Sequence, residues 1–430
     1  MWKSIQSEIM KKIFIETYGC SANISDSETM SGLLKERGFQ IVDSPKKSDI
    51  NIINTCIVKT PTEQRMIFRI RELTNFKKPL IIAGCMPKAS QKTIEKLNSD
   101  ANMIGPDSIE NIIDIVNATI QRRKVFFLKD LRRPKICLPK VRLNPVIGIV
   151  PISIGCLGDC SYCSVKFAKG KLFSYPKEKI VEEVKNATEG ECKEIWVTSQ
   201  DNSCYGKDIG SSLPELLNEI CNIDGEFSVR VGMMNPIHIK DILDGLIESY
   251  KNKKIFKFLH MPVQSGSNEI LEKMKRGYKV EDFIKILEKF RKETPNLTLS
   301  TDIIVGFPDE TEEDFRQTTS LIEKVRPDIV NISKFGVRPK TEAAKLNKLD
   351  IKVVNERSSI LHNLVKKIGL ENNKRWIGWK GKALVDEKTK NGFIARNFSY
   401  KPIVIKSRKN IFGKIIEIEV KDATTNCLIE

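Results

Sequence analysis

The chain has 430 residues, 40% of them hydrophobic and 30% charged, a composition typical of a folded globular protein rather than a disordered or fibrous one. No apolar run is long enough to span a membrane, and residues 1–12 lack a charged-then-apolar leader, so we expect a cytoplasmic protein with no membrane partner. The formal charge of +17 indicates a polyanionic partner (RNA, DNA or an acidic surface), and the length predicts about three domains at about 150 residues each.

The amino-terminal third alternates short apolar runs with stretches of helical spacing. We predict strands at 13–17, 50–54, 80–83, 103–104 and 125–128. We predict helices at about 27–37, 62–76, 90–97 and 108–119. This alternation predicts an α/β domain over residues 1–128 with a parallel, flavodoxin-like sheet.

Three cysteines of this domain, Cys20, Cys56 and Cys85, each come directly after one of the first three predicted strands. The carboxyl ends of parallel strands meet at one edge of a sheet, so the thiols can converge there although they are far apart in sequence. Three thiolates suggest an iron–sulfur cluster with one open iron. The alternative is three buried cysteines that act as small apolar core residues.

The residues around these cysteines resemble a known family. The strings ETYGC ending at Cys20, NTC ending at Cys56 and AGCMP around Cys85 look like the amino-terminal domain of the methylthiotransferases. Asn23 fits the family's polar residue shortly after the first cysteine. The resemblance implies that Cys20, Cys56 and Cys85 are catalytic ligands of an auxiliary [4Fe-4S] cluster.

Residues 129–145 are rich in Lys and Arg and contain three prolines, which is typical of an extended basic linker. The basic residues are Arg132, Arg133, Lys135, Lys140 and Arg142. An RNA contact and a merely solvated linker both remain open.

A second cysteine trio, Cys156, Cys160 and Cys163, has gaps of three and two residues around Gly158. Soft thiolates select zinc, copper or iron–sulfur centres, but no second knuckle lies nearby to complete a zinc site. A [4Fe-4S] cluster on three cysteines leaves one iron open for reaction, whereas the plain alternative is a chance grouping of thiols. With Tyr162 before the last cysteine, the string CLGDCSYC resembles the signature of the radical S-adenosylmethionine superfamily.

From residue 146 to 372 the strand–helix alternation resumes and predicts an incomplete (βα)6 barrel, open on one side to admit a macromolecule. We predict strands at 146–154, 194–199, 227–231, 255–262, 297–305 and 329–335. We predict helices at about 177–189, 213–221, 240–248, 280–292 and 312–325.

Residues just past these strands are expected to line a cofactor site at the carboxyl ends of the strands. The candidates are Ser199, Gln200, Arg230, His260, Gln264 and Gly306. The superfamily resemblance implies that Ser199 and Gln200 bind the methionine end of S-adenosylmethionine, and that Gly306 and Tyr162 contact its adenine. The plainer alternatives are an ion-paired Arg230 and a hydrogen-bonded interior His260.

The carboxyl-terminal piece, 373–430, follows a helix predicted at 352–374. Alternating strands at 382–385, 392–396, 402–405 and 414–420 predict a small antiparallel β-barrel. Basic residues lie among aromatic ones, which suits single-stranded RNA, although the aromatics could all be core residues. They include Lys374, Arg375, Lys380, Lys382, Arg396, Lys401, Lys406, Arg408, Lys409, Trp376, Trp379, Phe393, Phe398 and Tyr400. The string 395–402 resembles the TRAM domain, an RNA-binding module.

Together the resemblances imply the archaeal and eukaryotic branch of tRNA methylthiotransferases, which act at C2 of N6-threonylcarbamoyladenosine just 3′ of the anticodon. They imply two [4Fe-4S] clusters, S-adenosylmethionine as radical source and methyl donor, and unidentified electron and sulfur donors. The anticodon stem-loop would bind through the TRAM domain and the basic linker. Alternatives are isopentenyladenosine tRNA, a ribosomal protein aspartate, or a non-catalytic RNA-binding iron–sulfur protein. No role is assigned to Cys137, Cys192, Cys204, Cys221 or Cys427.

Overall fold

In the computed structural model, residues 10–58 and 60–430 are described, and the chain divides into two compact units. The first unit extends to Leu143 and also includes Ser164–Gly170. The second comprises Asn144–Cys163 and Lys171–Glu430. Residues 129–143, predicted as part of a linker, therefore belong to the first unit. None of the described helices is long and apolar enough to cross a membrane.

The first unit is built on a parallel sheet with strands in the order β2-β1-β3-β4-β5-β6, as the alternation predicted. Its first five strands follow the flavodoxin-like order. The strands are β1 (Lys12–Thr17), β2 (Gln40–Val42), β3 (Ile50–Thr55), β4 (Leu80–Gly84), β5 (Asn102–Ile104) and β6 (Phe126–Phe127). The helices are α1 (Ser21–Glu36), α2 (Thr60–Asn75), α3 (Cys85–Ala89), α4 (Gln91–Leu97), α5 (Ile112–Ile120) and α6 (Val165–Lys169), with a 3-10 turn at Ile109–Asn111.

Helix α1 begins six residues before the predicted start, because its polar residues are buried rather than exposed. Residues of the predicted linker cover that face: Val141 N–H donates to the Glu28 carbonyl at 3.0 Å. A Cβ on Gly32 would lie 2.1 Å from the Pro139 carbonyl oxygen, so the two segments touch backbone to backbone. A helix covered on its polar side carries no amphipathic pattern in its sequence.

The second unit contains six parallel strands in two three-stranded sheets, β11-β10-β7 and β12-β13-β14. The strands, with a short β8–β9 hairpin, are β7 (Ile147–Pro151), β8 (Ser153–Ile154), β9 (Phe173–Ser174), β10 (Glu194–Thr198), β11 (Ser228–Val231), β12 (Phe258–His260), β13 (Thr298–Val305) and β14 (Ile329–Lys334). The helices are α7 (Lys177–Glu189), α8 (Leu213–Cys221), α9 (Pro236–Ile239), α10 (Leu243–Lys251), α11 (Asn268–Lys273), α12 (Val280–Glu293), α13 (Glu312–Val325) and α14 (Ile351–Lys374). Three 3-10 turns lie at Asn202–Cys204, Lys240–Ile242 and Glu342–Lys345.

The two three-stranded sheets meet where a single long strand was predicted at 255–262. Only Ile255 bridges Val229 of β11, because the backbone then turns on itself and Phe258 N–H donates to the Phe256 carbonyl at 2.7 Å. Strand β12 is thereby reduced to three residues.

Residues 380–430 form another six-stranded sheet in the order β18-β15-β16-β17-β20-β19. Its strands are β15 (Lys380–Thr389), β16 (Gly392–Arg396), β17 (Pro402–Ile405), β18 (Ile415–Glu419), β19 (Asp422–Ala423) and β20 (Leu428–Ile429). The pairing is antiparallel as predicted except between β17 and β20, which are parallel. This sheet packs within the second unit, where the Tyr400 hydroxyl donates to Glu194 of β10 at 2.9 Å.

Candidate functional site

The first cysteine trio lies at the carboxyl ends of β1, β3 and β4, which are neighbours in the sheet. Cys20 precedes α1 and is exposed, Cys56 follows β3 and is buried, and Cys85 is the buried first residue of α3. Burial raises the pKa of both buried thiols, and that of Cys85 reaches about 12. Charge on Cys20 contributes to the rise in both, and charge on Cys56 contributes to the rise in Cys85. The parallel sheet thus brings these distant thiols into electrostatic contact.

Two glycines allow this close approach. Gly19 has φ +110°, and a Cβ there would lie 2.6 Å from Cys56 Cβ and 2.9 Å from Cys56 Sγ. Gly84 has φ +90°, and a Cβ there would lie 2.3 Å from Asn54 Oδ1. Asn23 links the ends of β1 and β3, since its Nδ2 donates to the Tyr18 and Thr55 carbonyls, each at 2.9 Å. Any larger residue at 19 or 84 would force these strand ends apart.

Two buried lysines lie beside this trio. Lys169, at the end of α6, is 3% exposed, and its Nζ lies 3.6 Å from Asp26 Oδ2. Burial lowers the pKa of Lys169, but Cys85, Asp26 and Cys20 together raise it above its usual range. Lys135 donates to the same Asp26 and to the Pro106 carbonyl at 2.8 Å, and burial lowers its pKa. Two buried cations therefore lie beside the thiols and pair with the same carboxylate.

The second trio lies on the loop after β8, and all three of its thiols are partly exposed. Gly158 N–H donates to Cys156 Sγ at 3.2 Å, and a Cβ on Gly158 would lie 3.4 Å from Cys156 Sγ and 3.8 Å from Cys160 Sγ. A hydrogen bond with Cys204 lowers the pKa of Cys156 although burial opposes it. Cys204, to which the sequence assigned no role, therefore supports one of the candidate ligands.

A buried arginine in the segment just after α11 contacts this loop. Arg276 is 6% exposed, and its Nη1 donates to Cys160 Sγ at 3.4 Å. The Ser161 backbone is also held, because its N–H donates to the Met274 carbonyl at 3.1 Å and its carbonyl accepts from Ala343 N–H at 2.9 Å. The loop is thus held by the segment after α11 and by the 3-10 turn at Glu342–Lys345.

Polar groups collect past the end of β10, where the sequence predicts the methionine end of a cofactor. Gln200 Oε1 accepts from Gly155 N–H at 2.6 Å, which ties this strand end to the cysteine loop. Ser199 Oγ, Asp201 Oδ2 and Asn202 Oδ1 are buried without a hydrogen-bond partner among the described residues. Asp201 Oδ2 faces His238 Nε2 at 4.0 Å, whereas the Ser199 and Asn202 oxygens keep hydrogen-bonding capacity that a ligand or water can satisfy.

Three further predicted contacts lie at neighbouring strand ends. Gly306, at φ +72°, donates its N–H to Glu310 Oε2 at 3.0 Å, and the next residue, Phe307, stacks edge-on with Tyr162 at 6.4 Å. His260 Nε2 lies 2.6 Å from Asp302 Oδ2. Gln264, at φ +72°, bridges Ile303 of β13. Their contacts with a cofactor stay predictions.

Arg230 is stacked among aromatic rings. Its guanidinium carbon lies 5.0 Å from the ring centre of Trp196, 5.1 Å from that of Phe258 and 5.3 Å from that of Tyr400. This group joins the barrel strands to the carboxyl-terminal sheet, so the side chain has a packing role whatever else it contacts.

The basic surface expected to bind RNA is smaller than the sequence suggests. Lys401 is buried and pairs with Asp328 at 2.6 Å, Tyr400 is buried, and Arg396 pairs with Asp386 at 3.2 Å. Lys135 of the predicted linker is likewise buried. The prediction that these four contact RNA is wrong, because their polar groups make internal contacts. Trp376 and Phe393, also predicted for that surface, are buried in the core of the carboxyl-terminal sheet. The basic candidates that are exposed are Lys374, Arg375, Lys380, Lys382, Lys406, Arg408 and Lys409.

Sequence reasoning missed Lys169 and Arg276. Nothing local distinguishes them among the 72 Lys and Arg of the chain. For Lys169, the only signal is its place six residues after Cys163.

Both trios fit the donor chemistry of an iron–sulfur cluster. All six thiols are free, soft ligands, and each trio would leave one iron without a protein ligand. In residues 10–58 and 60–430, no three Cys, His, Asp or Glu side chains form a ready-made metal site. The fit therefore rests on donor type, on the glycine-permitted approach and on the buried cations.

Two family models match the chain. One described as the Radical SAM superfamily matches residues 150–322, and one described as uncharacterized protein family UPF0004 matches residues 12–105. The superfamily match implies a [4Fe-4S] cluster and S-adenosylmethionine, as the second trio predicted.

Curated relatives match almost the whole chain. A protein of Pyrococcus horikoshii named probable threonylcarbamoyladenosine tRNA methylthiotransferase is 43% identical over 98% of this chain and 99% of its own. A Xenopus laevis protein named threonylcarbamoyladenosine tRNA methylthiotransferase is 35% identical over 96% of this chain and 75% of its own.

Solved structures share the fold at low identity. The radical S-adenosylmethionine methyltransferase TsrM of Kitasatospora setae, with cobalamin and a [4Fe-4S] cluster bound, has a TM-score of 0.57 at 14% identity, covering 78% of this chain and 74% of that chain. The cobalamin-dependent radical enzyme OxsB has a TM-score of 0.53 at 10% identity, covering 84% of this chain and 59% of that chain. These likenesses concern architecture alone.

Proposed function

We infer the reaction of this enzyme from its family, because the chain belongs to the threonylcarbamoyladenosine tRNA methylthiotransferases, which are radical S-adenosylmethionine enzymes. We propose that it inserts a methylthio group at C2 of N6-threonylcarbamoyladenosine in tRNA. The observation that carries the proposal is 43% identity to a relative of that name over 98% of the chain.

The proposed chemistry needs more than acid–base groups. The C2–H bond of adenine is neither acidic nor polarised, so a general base cannot remove the hydrogen. When bound, two [4Fe-4S] clusters and S-adenosylmethionine would supply the radical and the methyl group and hold the sulfur, while the electron and the sulfur come from the unidentified donors.

Within this proposal, each trio of the chain has its own task. Cys156, Cys160 and Cys163 would ligate the cluster that serves S-adenosylmethionine, with Ser199 and Gln200 near its methionine end and Tyr162 and Gly306 near its adenine. Cys20, Cys56 and Cys85 would ligate the auxiliary cluster. The orphaned polar atoms past β10 support the first assignment, and the Gly19 and Gly84 approaches support the second.

The tRNA would be held by the carboxyl-terminal sheet as a TRAM-like module. Phe398 is 40% exposed, and its ring lies 5.8 Å from Trp376 and 6.2 Å from Trp379. Flat rings stack on unpaired bases, while the exposed lysines and arginines neutralise phosphates. Phosphate contacts give affinity and registration, and the barrel then reads the modified base.

Mass spectrometry of tRNA nucleosides tests the proposal. The chain is expressed in a host that makes N6-threonylcarbamoyladenosine but not its 2-methylthio derivative. We expect the derivative to appear with the wild-type chain and to be absent with Cys156, Cys160 and Cys163 replaced by Ala. A methylthio group on isopentenyladenosine, or on a ribosomal protein aspartate alone, would contradict the proposed substrate.

A further inference from the structure

Arg276 is held rigidly inside the second unit. Its backbone N–H donates to the Leu271 carbonyl at 3.0 Å, just after Lys275 takes a left-handed φ of +56°. Its guanidinium carbon lies 5.2 Å from the ring centre of Tyr278. The left-handed residue reverses the chain after α11 and directs Arg276 inward.

The guanidinium donates four hydrogen bonds. Nε donates to the Tyr278 hydroxyl at 3.2 Å, and Nη2 donates to Asn235 Oδ1 at 3.0 Å and to the Pro262 carbonyl at 3.1 Å. Nη1 donates to Cys160 Sγ at 3.4 Å. The Asn235 and Pro262 oxygens cannot ionise, and burial raises the pKa of the Tyr278 hydroxyl, which leaves the sulfur as the contact that can carry negative charge.

The charge of Arg276 lacks a carboxylate partner within the described residues, since none of their ion pairs includes it. Four other buried cations each pair with one: Lys135 and Lys169 with Asp26, Arg357 with Glu310, and Lys401 with Asp328. A buried charge without a counter-ion is strongly unfavourable, and arginine does not lose its proton in proteins. The contact of Arg276 with the Cys160 sulfur therefore offers its charge a counter-ion in the cysteine trio.

We propose that Arg276 is a positioning residue of the second trio: it donates a hydrogen bond to the Cys160 sulfur and supplies positive charge to the cluster there. The inference rests on the proposed function, because it requires an iron–sulfur cluster on Cys156, Cys160 and Cys163. Hydrogen bonds to the sulfurs and net charge set the potentials of such clusters. A fixed positive charge favours the state with one more electron, so Arg276 eases reduction.

A redox titration followed by electron paramagnetic resonance tests this role. The full chain carries Cys20, Cys56 and Cys85 replaced by Ala, so that only the second trio can contribute a signal. We expect Arg276→Gln to lower the equilibrium constant for reduction of the cluster about tenfold. For a one-electron couple this shifts the midpoint potential by 59 mV toward more negative values. Arg276→Lys keeps the charge without the planar fork and should recover part of the shift.

The matched control is the adjacent Lys275→Gln. Lys275 is exposed and pairs with Glu342 at 2.6 Å, so its loss should leave the midpoint potential unchanged. An equal shift from Lys275→Gln would show a general charge effect and overturn the assignment to Arg276.

Other outcomes are equally decisive. An unchanged midpoint potential in Arg276→Gln overturns the inference. If Arg276→Gln binds no iron, restored binding in Arg276→Lys supports the inference, and failure of both variants overturns it. If the background chain with Arg276 intact holds no cluster, the proposed function fails first, before any Arg276 variant is measured.

Discussion

The two cysteine trios are built in different ways. In the first unit, strand ends position the thiols, two of the three are buried, and the nearby cations Lys135 and Lys169 share Asp26. In the second unit, a loop carries all three thiols, each is partly exposed, and the nearby cation Arg276 has no carboxylate among the described residues. Both arrangements place a cation next to sulfur, but among the described residues only the cations of the first are paired directly with a carboxylate.

This difference suggests different demands on the two centres. Ligands fixed by a sheet are positioned before any metal arrives, whereas loop ligands adjust to what they bind. Positive charge balanced internally stabilises the chain without metal, whereas charge balanced only by thiolates makes the loop depend on them. Three experiments test this contrast between the two trios.

The largest effect is expected from Asp26→Asn, which leaves Lys135 and Lys169 buried without their shared carboxylate. Breaking a buried ion pair from one side destabilises by about 3–5 kcal/mol. Hydrogen exchange of the β3 and β4 amides in the metal-free chain, read by mass spectrometry, should show this loss. Exchange in β13 of the second unit should be unchanged.

Asp43→Asn is the matched control for Asp26. Asp43 also pairs with a lysine, Lys47, at 3.0 Å, but both side chains are exposed. Exposed pairs contribute little to stability, so exchange should not change measurably. Equal effects of the two substitutions would show that Asp26 does not balance buried charge.

A smaller effect concerns thiol alkylation at pH 8 in the metal-free chain. Burial raises the pKa of Cys85 to about 12, so less thiolate is present at a given pH, whereas the Cys204 hydrogen bond lowers the pKa of Cys156 and increases its thiolate. Although a more basic thiolate is the better nucleophile, the loss of thiolate outweighs this, and Cys85 should react more slowly than Cys156. Peptide mapping of iodoacetamide time courses measures the two rates.

Denatured protein provides the reference for that comparison. In guanidinium chloride both thiols should react at the same rate, since burial and the Cys204 contact are gone. Equal rates in the native chain would mean that the two trios do not differ in environment.

The smallest effect is expected from Gly19→Ala. The new Cβ would meet Cys56 at 2.6 Å on a backbone with φ +110°, a strain of about 2 kcal/mol. Gly158→Ala is the counterpart in the second trio, where the nearest sulfur would lie 3.4 Å away in ordinary contact. Iron retention should fall for Gly19→Ala and stay near wild type for Gly158→Ala; the reverse order would contradict the contrast.

The sequence was sufficient where burial and secondary structure agree. Strands β3 and β4 are buried along their whole length, so continuous apolar runs revealed them, and the positions of Cys56 and Cys85 followed from parallel topology. The start of α1 was wrong because Asn23, Asp26 and Glu28 are buried against other parts of the unit, which removes the amphipathic pattern.

The sequence could not identify the buried cations either, because their burial also depends on tertiary contacts. Lysine and arginine are almost always exposed, so Lys169, Lys401 and Arg276 read as surface residues until tertiary contacts are known. Arg396 and Lys401 looked like RNA ligands, yet their partners Asp386 and Asp328 are 10 and 73 residues away in the chain. Pairing across such separations leaves no local pattern.

The most direct test of the central claim, that two separate cysteine trios each hold one cluster, is the iron content of the anaerobically reconstituted protein with its Mössbauer spectrum. Wild-type chain should hold about eight irons as two cubanes, and replacing either trio by Ala should leave about four. A single zinc in the wild-type chain, or loss of all iron on removing either trio, would contradict the account.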